Sequence, residues 1–321
     1  MATQWLRRAW LLAAGASVLL LAACGGGGGE VESSLTPARI VVFGDAMADL
    51  GQNATGQRYT VNDSSVNNWT VVVGNAFGRP LTPAKSGGTS YATANARVAL
   101  KPGAAGDAAA PTLVEQIDSF LATNTLTVND LVVVNVGASD VIVQGRAAIE
   151  GAQTRDQMLA ALAAAGTALG GQVHRLVNAG ARHVVVVGPY NLGRSPWAKE
   201  VGQAGLLEAG SSAFNDKFKL AAVDLGDTVL YVDAAQQFNL YEGNPANYAL
   251  DNTSAPACTS RDPGEGIGTG LNQVDSSECT SATVVGTVHY DAYLFADRVY
   301  PTPRGHRLFG EYAMSRIRDR W

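Results

Sequence analysis

Short runs of apolar, mostly β-branched residues recur along the chain, separated by longer stretches in which apolar positions return every three or four residues. The runs are Ile40-Val41-Val42-Phe43, Leu131-Val132-Val133-Val134, Val184-Val185-Val186-Val187 and Val229-Leu230-Tyr231-Val232. Continuous runs, rather than alternating ones, suit strands covered on both faces, as in a parallel sheet. Between the second and third runs, Met158, Leu162, Ala165, Leu169, Val173 and Leu176 mark one face of a helix. Thr154 is placed to cap its start and Gly180 to stop it. Further helices are predicted from Thr112 to Leu121, from about Leu206 to Ala222, and from near Pro303 onward. With no internal repeat or second boundary, residues 38–321 read as a single α/β domain with a doubly wound parallel sheet in three layers.

The first 37 residues follow a different pattern. Arg7 and Arg8 precede an apolar run from Ala9 to Ala23, too short to span a bilayer with the usual 20 or so residues, so residues 1–23 read as an export signal. The run ends in Leu21-Ala22-Ala23-Cys24, which resembles the lipobox of bacterial lipoproteins. The resemblance implies that Cys24 is acylated and becomes the mature N-terminus; an ordinary signal cleaved elsewhere is the alternative. Residues 24–37, with Gly25 to Gly29 at their start, read as a flexible tether. Gly25 rather than Asp after the cysteine implies attachment to the outer membrane of a Gram-negative bacterium.

Composition narrows the function. With 46% hydrophobic and 16% charged residues the chain is globular, not disordered. Its formal charge of −5 becomes −7 once the two signal arginines are removed, and no run rich in Lys or Arg appears, which argues against nucleic acid as a partner. Cys258 and Cys279 lie in a stretch rich in Ser, Thr, Asp and Gly, and in an oxidising compartment they are most simply paired. Zinc is the rival, but two thiolates without a neighbouring His pair do not complete a tetrahedral site. The four histidines are scattered, and no motif calls for a metal or cofactor.

In open parallel sheets the ligand crevice lies beyond the carboxyl ends of the strands. Polar motifs stand there: Gly44-Asp45, Gly137-Ala138-Ser139-Asp140, Gly188 to Gly193 and Asp233, with Asp297 to Thr302 just before the last helix. In this order they resemble the GDSL or SGNH family of ester hydrolases, whose members include lipases and esterases. Val42-Phe43-Gly44-Asp45, Ser90-Tyr91-Ala92 and Asp297 to Thr302 with His306 carry the resemblance. Asn244 to Tyr248 and the following Cys258 look like the family's secreted bacterial branch. The resemblance implies a flavodoxin-like, SGNH-hydrolase-like fold and, in principle, acyl transfer.

The four chemical positions of the family fall on residues of the wrong kind. The nucleophilic serine falls on Ala46, and the glycine of the second block falls on Asn95. The asparagine of the third block falls on Ser139, and the histidine base on Tyr300; Asp297 alone keeps its type. Alanine has no oxygen to attack with, and a phenol with pKa near 10 is a poor base. The expectation is a non-catalytic ligand-binding member at the cell envelope, with Asp45, Tyr91, Ser139, Tyr190 and Tyr300 as candidate ligand contacts. Its expected partners are the membrane, through the lipid anchor, and a lipid, acylated glycan or other ester. An active ester hydrolase with unrecognised catalytic residues and an envelope scaffold are the alternatives. His306 is expected to be structural, and the aromatics near the motifs (Trp69, Tyr91, Tyr190, Trp197, Tyr293 and Tyr300) either line a cleft or pack the core.

Overall fold

Each of the four β-branched runs forms or extends a strand of one parallel sheet. The computed structural model describes residues 34–53, 55–286 and 289–321; the export signal, Cys24 and most of the glycine tether lie outside the described residues. Strands β1 (Arg39–Gly44), β2 (Asp130–Asn135), β3 (His183–Val187) and β4 (Val229–Tyr231) pair in the order β1-β2-β3-β4. Phe43 sits beside Val134, Val134 beside Val186, and Val186 beside Tyr231. β2 is buried along its whole length, and β1 and β3 except at their first residue, which is why no polar residue alternates within the runs.

The free side of β1 is also paired. Val42 N–H donates to Thr89 O over 3.0 Å, Tyr91 N–H to Val42 O over 2.7 Å, and Thr93 N–H to Gly44 O over 3.0 Å. The chain therefore leaves β1 to one side and returns on the other to form β2. Such a reversal is a topological switch point, and it opens at the carboxyl ends of β1 and β2.

Eight α-helices are found among the described residues: α1 (Trp69–Ala76), α2 (Leu113–Leu121), α3 (Ala138–Ile149), α4 (Arg155–Asn178), α5 (Pro196–Glu200), α6 (Ala204–Ala221), α7 (Ala234–Gly243) and α8 (Pro303–Arg320). α4 packs along α6 with α3 beside them, and α1 packs against α8, giving helices on the two sides of the sheet. The predicted cap at Thr154 forms, with Gln157, and Thr112 caps the helix predicted to start there, with Glu115, each as a reciprocal capping box. α1, α3, α5 and α7 are additions to the sequence reading. Trp69-Thr-Val-Val-Val resembles a strand, but Asn68 caps it by accepting Thr70 N–H over 2.9 Å, and the Trp69 ring meets Phe309 of α8 edge-on at 5.3 Å.

After α7 the chain forms two small pairings. β5 (Asn252–Pro256) runs parallel to β8 (Tyr293–Phe295), and β6 (Arg261–Asp262) is antiparallel to β7 (Gln273–Val274). Cys258 and Cys279 form the expected disulfide in this region. No helix among the described residues is long and apolar enough to cross a membrane.

Candidate active site at the switch point

At the end of β1 the backbone comes too close to β2 for any side chain. Gly44 has φ of +148°, and a Cβ there would lie 1.9 Å from Asn135 O. Gln116 of α2 grips this glycine twice, accepting its N–H over 2.8 Å and donating to its carbonyl over 2.9 Å. Asp45 follows, fully buried. Its Oδ1 accepts Met47 N–H over 3.2 Å, and its Oδ2 accepts Gly137 N–H and Ala138 N–H, both over 3.0 Å. Those two amides belong to the N-terminus of α3, where Gly137, with φ of +121°, has no side chain to cap them. Asp45 thus caps α3 from across the sheet. Burial pushes its carboxyl up to about 7 against the pull of these N–H donors. Ala46 is the next residue, buried and carrying only a methyl group.

Asp49 ties this turn to the second motif. It accepts Gly51 N–H and Gln52 N–H on one oxygen and Ala94 N–H, over 2.9 Å, on the other, and burial pushes its carboxyl up to about 6. Asn95 stands in the left-handed region at φ of +63°, a conformation that glycine and then asparagine adopt most readily. Its side-chain oxygen is buried without a hydrogen-bond partner. Asp140 links the third motif to the same loop, through a buried ion pair with Arg97 at 3.1 Å and by accepting Val98 N–H over 3.0 Å. The roles of Asp49, Arg97 and Gln116 were not visible in the sequence, because their partners lie 45, 43 and 72 residues away.

The last motif is a closed turn. The Asp297 carboxylate accepts Val299 N–H over 2.7 Å, Tyr300 N–H over 2.6 Å and the Ser276 hydroxyl, and burial pushes it up to about 7. Tyr300 is fully buried, with its ring edge-on to Tyr59 at 5.2 Å. Burial first, then Asp45 and Asp297, hold its phenol well above 10. Ser139 is near enough to pull that value slightly down, yet neither hydroxyl makes a hydrogen bond of good geometry. His306 Nδ1 accepts Trp69 N–H at 3.4 Å, and burial, with help from Arg58, pushes its imidazole down to about 3. Neutral His306 is therefore a cap for α1, clear of any acid–base role near neutral pH.

The structure brings Asp45, Ser139, Asp297 and Tyr300 together, packs Tyr190 behind the same closed turn and places Tyr91 apart. Tyr190 is buried, donates to Val299 O over 2.7 Å and stacks on Phe238 at 4.5 Å. Tyr91 is half-buried and lines a cavity of about 700 Å³ beside the segment paired with β1, with Thr93, Lys85, Pro111 and Gln116. Of the six aromatics near the motifs, Trp69, Tyr190, Trp197 and Tyr300 pack in the core, while Tyr91 and Tyr293 are half-buried. The chemistry of the cluster is limited by its atoms. Residue 46 offers no nucleophile, and a buried phenol well above 10 does not accept a proton near neutral pH.

The extracellular lipase of Streptomyces rimosus aligns over 84% of this chain and 94% of its own, with 15% identity and a TM-score of 0.41. A phospholipase A1 of Streptomyces albidoflavus aligns over 83% and 93%, with 14% identity and a TM-score of 0.39. No curated protein matches the chain. The family model for GDSL-like lipase/acylhydrolase matches residues 40–313, from the first strand into the last helix, and the chain belongs to that family.

Proposed function

We propose that this chain is a GDSL-family member that does not hydrolyse esters as a serine hydrolase, and that it binds an ester-bearing lipid or acylated glycan at the cell envelope. The observation that carries the first half is Ala46: a buried methyl follows the Gly44-Asp45 turn where the family's attacking oxygen belongs. In serine hydrolases, loss of nucleophile or base costs on the order of 10⁴ to 10⁶ in kcat. Tyr300 at the base position and Ser139 at the side-chain donor of the oxyanion hole act in the same direction. The 700 Å³ cavity beside Tyr91 supports the binding half, since its size suits an acyl chain and its wall combines aromatic and polar groups. Attachment through an acylated Cys24, implied by Leu21-Ala22-Ala23-Cys24, sets the protein on the outer membrane.

A fluorophosphonate probe tests the catalytic half. The purified protein is expected to remain unlabelled, and specific labelling at any Ser or Thr overturns the reading. Incorporation of labelled fatty acid in a Gram-negative host, lost in Cys24→Ala, tests the anchor.

A further inference from the structure

A second cavity, of about 620 Å³, lies beside the disulfide, between α5, β5 and the β6–β7 pair. Its walls include Pro256, Val274 and Val285, and two arginines, Arg261 and Arg298. The Arg298 side chain is 5% exposed. One of its amino groups donates to Thr269 O over 2.9 Å and to the Thr269 hydroxyl over 3.3 Å. Its Nε lies 2.9 Å from Glu200 Oε2, an ion pair angled so that Nε is left without a hydrogen bond. Arg261 is exposed and donates to Asn272 O over 2.8 Å. Burial chiefly lowers the affinity of Arg298 for its proton; Glu200 and then Asp297 oppose this, and Arg261 adds a smaller lowering.

Two cations therefore face one cavity in a chain whose formal charge is −5, and Glu200, itself largely exposed, is the acid on the cavity wall. Glu200 offsets Arg298, so the positive charge left on the cavity wall is that of Arg261, and an anion seated there gains from charge-assisted hydrogen bonds to its guanidinium. The apolar wall beside it admits a short hydrocarbon tail. We propose that this cavity binds a small amphipathic anion, a carboxylate or phosphate monoester carrying a short apolar tail. This site is separate from the switch-point cluster, and the proposal stands whether or not the chain turns over esters.

Isothermal titration of the purified protein with octanoate, octyl phosphate, inorganic phosphate and neutral octanamide tests it. Octanoate or octyl phosphate is expected to bind about tenfold or more tighter than octanamide, and Arg261→Gln to weaken that binding by about tenfold. Because Arg261 is exposed, the variant is expected to fold normally, which the thermal midpoint without ligand checks. Lys217→Gln, on the exposed face of α6, is expected to leave the affinity unchanged. Equal binding of octanamide, inorganic phosphate binding as tightly as octyl phosphate, an unaffected Arg261→Gln, or loss in Lys217→Gln each overturns the proposal.

Discussion

Asp45 Oδ2 and Gly137 N–H are joined by a 3.0 Å hydrogen bond that crosses from the end of β1 to the start of α3. With Ala138 and Met47 it makes one carboxylate the acceptor for three buried amides. Asp45→Ala strips all three of their partner. The expected loss is about 2 to 4 kcal/mol, read from urea unfolding at pH 8, because buried donors left unsatisfied cost more than an average hydrogen bond contributes. A loss below about 0.5 kcal/mol contradicts this bracing role.

Asn95 occupies a left-handed conformation while its side-chain oxygen makes no hydrogen bond. Asn95→Gly is therefore expected to leave stability within about 1 kcal/mol of the parent, and Asn95→Val to lose about 1 to 3 kcal/mol through strain at positive φ. Equilibrium unfolding of the pair decides the matter. Equal losses in both variants mean that the side chain, and not the backbone, holds the loop.

How far such features could be read from the sequence depended on the distance between partners. The four apolar runs fixed the strands because burial on both faces leaves a one-dimensional trace, and Thr112 and Thr154 fixed two helix starts because capping is local. α1 was missed because Trp69-Thr-Val-Val-Val carries a strand's composition and becomes helical through Asn68 and its packing on α8. α3 was missed because its cap is Asp45, 92 residues upstream. The order of motifs drew attention to Ser139, Asp297 and Tyr300, which lie near one another in the structure. That Tyr300 is buried against Tyr59, and that Asp297 is engaged by Ser276, required the tertiary fold.

His306 gives the fold a measurable pH dependence. Its imidazole titrates near 3 when folded and near 6.5 when free, so between these values the unfolded chain binds a proton that the folded chain does not. Its contribution to stability is present above about pH 6.5 and is lost as pH falls toward 3. His306→Asn keeps an acceptor near Trp69 N–H but does not titrate. The stability difference between parent and variant is expected to shift against the parent as pH falls through this window, measured by urea unfolding at steps from pH 7 to 4. Parallel curves contradict the assignment.

The switch-point cluster also constrains any return of activity. Ala46→Ser alone is expected to stay at background for ester turnover, because the Tyr300 phenol, held well above 10, does not take the serine proton. Ala46→Ser, Ser139→Asn and Tyr300→His together place nucleophile, donor and base around Asp297, and turnover about tenfold or more above the parent is expected. Steady-state rates on a short acyl ester, with circular dichroism to confirm folding, check both. A single variant as active as the triple contradicts the account of Tyr300.

The central claim is that residue 46 leaves this GDSL fold without hydrolytic chemistry. Its most direct measurement is the rate of hydrolysis of short and long acyl nitrophenyl esters by the unmodified protein across a range of substrate concentrations. The account predicts a rate that rises linearly with substrate at the level of an inert protein control. Saturable, heat-sensitive turnover that resists further purification would contradict it.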